Sequence, residues 1–176
     1  LRLKDISGED LLKQVDALCN LSEIYRQIAD YDKAEKTMVE LEELMPDDPH
    51  MKVFWLNCRA EIARRRGKLQ DCRRQLCEAL SLAKTFNSPA DLVAQIYNNL
   101  GICHWSLGKL KESAGYYKSA LALYRQLKDL GGQSKIINNL GIINDEMGRL
   151  CKAAKSYEKA QKIFERIGAT RSRAYA

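Results

Sequence analysis

Prolines and histidines are scarce: three and two in 176 residues. Interior proline breaks a helix at a cost of about 3 kcal/mol, so a chain nearly free of it can be helical over long stretches. Glycine is also modest at ten, while Ala, Leu, Lys and Glu abound, which favours an all-helical protein. No run approaches the roughly 18 uninterrupted apolar residues of a membrane-spanning helix. No signal-peptide pattern is present, although the chain opens at Leu1, which leaves an upstream targeting segment open. The six cysteines (Cys19, Cys58, Cys72, Cys77, Cys103, Cys151) contain no CxxC pair and no framework spacing. Each falls where a helix accepts a small apolar residue, so buried reduced thiols in a cytoplasmic protein are expected.

Catalytic and cofactor motifs are missing too. His50 follows Pro49 at a helix start, and His104 falls on a helix-packing face; neither has a second histidine near it in the sequence. A metal site or a Cys-His dyad therefore lacks its minimum parts, and Asp47-Asp48 are capping residues before they are a carboxylate pair. There is no phosphate-binding loop. The expectation is a chain with no enzymatic activity and no cofactor. Net charge is +6, but unevenly spread: residues 1–88 carry 15 Lys+Arg against 16 Asp+Glu, and 89–176 carry 14 against 7. The basic half bears on partner choice rather than on fold.

What is present is a repeat. Ile96-Tyr97-Asn98-Asn99-Leu100-Gly101-Ile102 returns, 40 residues later, as Ile136-Ile137-Asn138-Asn139-Leu140-Gly141-Ile142. The likeness continues from Gly108, Ser113, Tyr117 and Ala120 to Gly148, Ala153, Tyr157 and Ala160. A fixed period of this size, in helix-forming residues, signals stacked helix pairs. Four hairpins follow, at about 8–46, 48–87, 88–130 and 132–168, with 169–176 read as the start of a further, truncated repeat. Ser7 caps the first helix and Pro46 stops the second. Asp48-Pro49 and Ser88-Pro89 open the next two hairpins, and Gly131-Gly132 reads as a C-cap ahead of the fourth. The turns fall at Ala29, Gly67, Gly108 and Gly148, spaced by 38, 41 and 40 residues. Small residues (Ser22, Ala60, Gly101, Gly141, and on the second helices Ala34, Cys72, Ser113, Ala153) mark where paired helices approach. Large ones (Met38, Leu76, Tyr117, Tyr157) fill the space between.

These residues resemble the tetratricopeptide repeat, in a lengthened form of about 40 residues similar to that of G-protein-regulator scaffolds and kinesin light chains. The match rests on Tyr97, Leu100, Gly101, Gly108, Ser113, Tyr117 and Ala120 and on their copies, and covers roughly 11–168. The second hairpin departs in carrying Arg59 where the others have Leu100 and Leu140. The resemblance implies an all-α fold, a right-handed superhelical solenoid of antiparallel helix hairpins, whose first helices line a concave groove. It also implies binding of another protein there.

Two sets of residues fall on that face. Asn20, Asn57, Asn99 and Asn139, with Asn98 and Asn138 beside them, form an amide column able to donate and accept along an extended peptide backbone. One turn on, Arg26, Arg64 and Trp105, with Arg65 and Lys135, suit a segment bearing acidic and apolar side chains. The bland account is that the asparagines face water, the arginines favour a helix C-terminus, and Trp105 packs on the next repeat. A stripe of Lys152, Lys155, Lys159, Lys162 and Arg166 reads as a solvated helical face, with no aromatics alternating with the lysines, and the alternative function is nucleic-acid binding through the basic C-terminal half. Self-association through an uncapped C-terminal edge is a further expectation of a repeat array.

Overall fold

The computed structural model describes the backbone of residues 8–45 and 47–174 and the side chains of 13–45 and 47–168. Every described element of regular structure is an α-helix, and the chain divides into two compact units that meet at Phe86/Asn87. The all-α hairpin architecture is thus as expected.

The first unit holds α1 (Gly8–Gln27), α2 (Tyr31–Leu44), α3 (Pro49–Arg65) and α4 (Leu69–Thr85). Asp30 caps α2 by accepting from the Lys33 amide, and Asp48 caps α3 by accepting from His50, with Pro49 in the first helical position. The proposed Ser7 cap and Pro46 stop lie outside the described residues. Met38, Leu41 and Leu76 are fully buried, with Ala34, Ala60 and Ala79 leaving room for them. Trp55 joins this core, its indole N–H donating to the Met38 carbonyl at 2.9 Å. Arg59 keeps the register of Leu100 but not its role. Its guanidinium lies 4.6 Å from the Trp55 ring, with Lys52 at 4.1 Å, and Glu42 faces both cations.

The second unit holds α5 (Ala90–Ser106), α6 (Leu110–Gln126), α7 (Leu130–Glu146) and α8 (Leu150–Ala174). Gly101 lets α6 lie close against α5: a Cβ there would meet the Tyr117 ring at 2.5 Å, and one at Gly141 would meet Tyr157 at 2.6 Å. Ser113 exploits the same approach, donating to the Gly101 carbonyl at 2.8 Å. Tyr117, Leu121 and Tyr124 of α6 then form one core with Ile136, Ile137 and Ile143 of α7.

Four local expectations are corrected. Gly131-Gly132 does not cap α6; both lie in the first turn of α7, whose cap Asp129 accepts from the Gly132 amide. Gly132 is needed for close approach, since a Cβ would stand 2.4 Å from the Tyr124 ring. Pro89, rather than Ser88, occupies the cap position of α5. Helix α8 runs on through 169–174, where a new hairpin was expected to open. Of the six thiols, Cys58, Cys72 and Cys103 are buried as expected, Cys19 is half-buried, and Cys77 and Cys151 are exposed.

The hairpin turns close in one way. Ala29, Gly67, Gly108, Lys128 and Gly148 are all left-handed, with φ between 56° and 76°. The next residue's amide returns to a carbonyl five back, as in Asp30 to Tyr25, Lys109 to His104 and Arg149 to Asn144. This double-bonded C-terminal motif satisfies carbonyls that the helix end leaves open. It also supplies an exact structural register for comparing hairpins.

Candidate functional site

Registered on the turn residues Ala29, Gly67, Gly108 and Gly148, the asparagine column changes membership. Asn20, Asn99 and Asn139 share one position, nine residues before the turn, and Cys58 holds it in the second hairpin. Asn57 instead shares the preceding position with Asn98 and Asn138. The error came from shifting the second hairpin by one residue. On a helix that turns the side chain about 100°, enough to move it from an open face to a covered one.

Burial follows the corrected register. Asn57 is 6% exposed and Asn98 is 4% exposed, so neither lies open as expected. In the second unit the amides bond to one another: Asn98 donates to Asn99 Oδ1 at 3.3 Å and accepts from Asn139 Nδ2 at 3.2 Å. The Asn98–Asn139 bond joins α5 to α7 and gives a buried amide its partner. Asn20 and Asn138 are exposed, while Asn99 and Asn139 are half-buried. Sequence reasoning placed the amides near one another without showing which of each Asn-Asn pair faces a neighbouring helix.

The cationic column is similarly divided. Arg26 is nearly covered and forms ion pairs with Glu23 on its own helix and with Glu61 on α3. Its charge is already matched within the first unit. Arg64 is half-buried and Arg65 exposed, and neither forms an ion pair among the described residues. In the second unit Trp105 is 37% exposed, and its indole N–H donates to Glu146 Oε1 at 2.7 Å. Lys135 is exposed on α7. Trp105 thus meets both descriptions at once, packing toward the next hairpin while leaving ring surface open. Glu23, Glu61 and Glu146 fall on the groove face by sequence, but their pairing with Arg26 and Trp105 does not follow from it; only Glu23 stands at a helix-neighbour spacing from its partner.

Thiol chemistry at this face is suppressed. Burial pushes the Cys58 thiol up to about 12, with Arg26 opposing and the neighbouring thiol and carboxylates adding to the rise. Burial also raises Cys19, helped by Asp16 and resisted by Arg26. Neither sulfur is an ionised nucleophile near neutral pH. Among the described residues no group of three His, Cys, Asp or Glu could hold a metal ion. None of the described helices is long and apolar enough to cross a membrane. His104 is buried against Tyr116, with ring centroids 4.8 Å apart.

Known proteins carry the same architecture. In the structure of BtubC from P. vanneervenii, 66% of that chain matches 91% of this one at 23% identity and a TM-score of 0.77. A Rap protein complexed with competence and sporulation factor matches over 89% of this chain and 44% of its own, at 22% identity and TM-score 0.77. Aspartyl phosphate phosphatase F from Bacillus subtilis matches over 90% and 42%, at 17% identity and TM-score 0.78. Among curated proteins, response regulator aspartate phosphatase J of Bacillus subtilis (strain 168) is 41% identical over 51 residues. That stretch is 29% of this chain but only 13% of the phosphatase, and the chain spans less than half of either Rap-type structure. Tetratricopeptide repeat models match residues 15–48, 53–126 and 134–166, in agreement with the helix hairpins and their glycine-tyrosine contacts. The chain belongs to the tetratricopeptide repeat family, a family of helical scaffolds for protein–protein interaction.

Proposed function

We propose that this chain is a non-catalytic, cytoplasmic adaptor or regulatory module that binds an extended or partly helical segment of a partner protein on the open face of its first helices. The observation that carries the reading is the set of side chains left open there. Among the described residues Arg64 and Arg65, on α3 of the first unit, form no ion pair, and on α5 of the second unit Trp105 keeps ring surface open while Asn99 is half-buried. Cations without partners favour acidic side chains, an open indole seats an apolar one, and an amide can hold backbone. Arg26, Asn57 and Asn98 act instead as supports, since each is already covered or matched. Structural likeness to a Rap protein whose solved complex contains competence and sporulation factor supports ligand binding on such a scaffold.

The test is affinity capture and fluorescence polarisation of the 176-residue chain with a panel of peptides that vary in acidity and apolar content. Acidic peptides with an aromatic or aliphatic anchor are expected to bind, and Arg64→Glu with Trp105→Ala to weaken them at least about tenfold. Equal binding by wild type and double variant would refute the assignment. The competing nucleic-acid reading draws on the exposed lysines of α8 (Lys152, Lys155, Lys159, Lys162). It requires affinity for a nucleic acid that falls steeply as salt is raised and is insensitive to that double variant.

A further inference from the structure

The hairpin register sets two thiols opposite each other inside the first unit. In the second unit Asn98, ten residues before its turn, bonds Asn139, nine residues before the next turn, and the bond ties α5 to α7. The same two positions in α1 and α3 are Cys19 and Cys58. Their proximity has support of its own. The charge of Cys19 acts on Cys58, and Arg26, which reaches from α1 to Glu61 on α3, acts on both. Cys58 is 4% exposed and Cys19 half-buried, so one sulfur is sealed in the seam and the other borders the open face.

Spacing decides what the pair can do. An amide carries its oxygen and nitrogen about 1.2–1.3 Å beyond the point where a thiol ends. Two thiols on backbones set apart as for the 3.2 Å amide bond therefore stand roughly 4–5 Å from each other. A disulfide needs about 2.05 Å between sulfurs, so α1 and α3 would have to close up to form one. A metal–thiolate bond is about 2.3 Å, so an ion between two sulfurs holds them roughly 4–5 Å apart with neither helix moved.

Among the described residues no third His, Cys, Asp or Glu completes a site with these two. Zinc, which asks for four ligands, is therefore not served, and a soft ion satisfied by two thiolates is, cuprous copper being one that thiolates select. Coordination displaces both protons. One cuprous ion and two thiols give a bis-thiolate of net charge −1 and two protons, so the burial that keeps these thiols from acting as nucleophiles is no bar to it. Arg26 supplies the counter-charge. Its terminal nitrogens bond Glu23 and Glu61, while its Nε–H is buried with no hydrogen-bond partner among the described residues, a donor left over for a charged sulfur. We propose that Cys19 and Cys58 form a two-coordinate site for cuprous copper that clamps the first hairpin to the second, where the second unit uses an amide pair.

The test is copper retention by the 176-residue chain, reduced and free of oxygen, with Cys77→Ser/Cys151→Ser as background so that the two exposed thiols do not compete. Cuprous ion is added, and a chromophoric cuprous chelator then competes for it. The background protein should keep one ion per chain, show two sulfur neighbours of copper by X-ray absorption, and melt at a higher temperature with copper than without. Cys19→Ser should surrender the ion to at least about tenfold less chelator. Cys19→Asn/Cys58→Asn, which copies the amide pair and guards against a loosened seam, should melt as the copper-free background does and keep no ion. Copper held as firmly by either variant would place it on Cys72 or Cys103 and overturn the assignment. So would a background protein that keeps none. An internal Cys19–Cys58 disulfide that forms with oxidised glutathione at the same rate with and without copper would overturn it in favour of a redox cross-link.

Discussion

Gly101→Ala offers the sharpest check of the helix packing. The added Cβ would stand 2.5 Å from Tyr117 Cε1 and 2.6 Å from Cδ1, and the ring cannot swing away because it is buried in the α5/α6 core. Overpacking of this kind costs about 1–3 kcal/mol. Alanine recovers about 1 kcal/mol through its better helix propensity. The net loss is therefore about 1 kcal/mol, reaching about 2 if the helices must part. In a domain of this size that lowers the melting temperature by roughly 2–4 °C per kcal/mol. Gly115→Ala is the matched control. It makes the same chemical change in the interior of α6, but with nothing within 4 Å of the new Cβ. It should stabilise by about 1 kcal/mol through propensity alone. Urea unfolding of both, with Gly101→Ala/Tyr117→Leu as a third variant, separates the two effects; removing the ring should recover part of the loss through a coupling of at least about 0.5 kcal/mol. If Gly101→Ala stabilises the protein as Gly115→Ala does, the close approach of α5 and α6 is wrong.

Ala29 and Lys128 hold left-handed turns without being glycine, so Ala29→Gly and Lys128→Gly should each stabilise by up to about 1 kcal/mol in urea unfolding, since a Cβ there costs about 1–2 kcal/mol. Asn98→Ala, which strands the Asn139 amide, should cost about 1 kcal/mol, whereas Asn138→Ala should stay within about 0.5. Cys58 should make stability fall at alkaline pH: its thiol ionises near 9.0 when unfolded but at about 12 when folded. Between those values the unfolded chain binds fewer protons, so stability present below pH 9 is lost at about 1.4 kcal/mol per pH unit as pH rises toward 12, and Cys58→Ala should flatten that slope. Under native conditions a thiol reagent should modify Cys77 and Cys151 quickly and Cys58, Cys72 and Cys103 only after unfolding, as read by mass spectrometry.

The candidate site was legible only in part. The chemistry of the open face, amides beside cations and a tryptophan, came from residue types at helical spacing, and Asn20, Asn99, Arg64, Arg65 and Trp105 keep surface there. Asn57 was lost to a one-residue shift, because the second hairpin has Arg59 where leucine marks the register in the third and fourth. Arg26 was lost as an open cation for a different reason: Glu61, 35 residues away, reaches it from the next hairpin. No local spacing announces such a partner.

The sequence by itself determined the repeat, and with it the helix hairpins, the positions of their turns and the paired small and large residues at each crossing. Those features are local or periodic, and a helix of 3.6 residues per turn translates spacing directly into faces. Tertiary structure alone decided which polar groups remain open. That depends on what the adjacent hairpin places opposite them: Asn139 against Asn98, Glu146 against Trp105, Glu61 against Arg26.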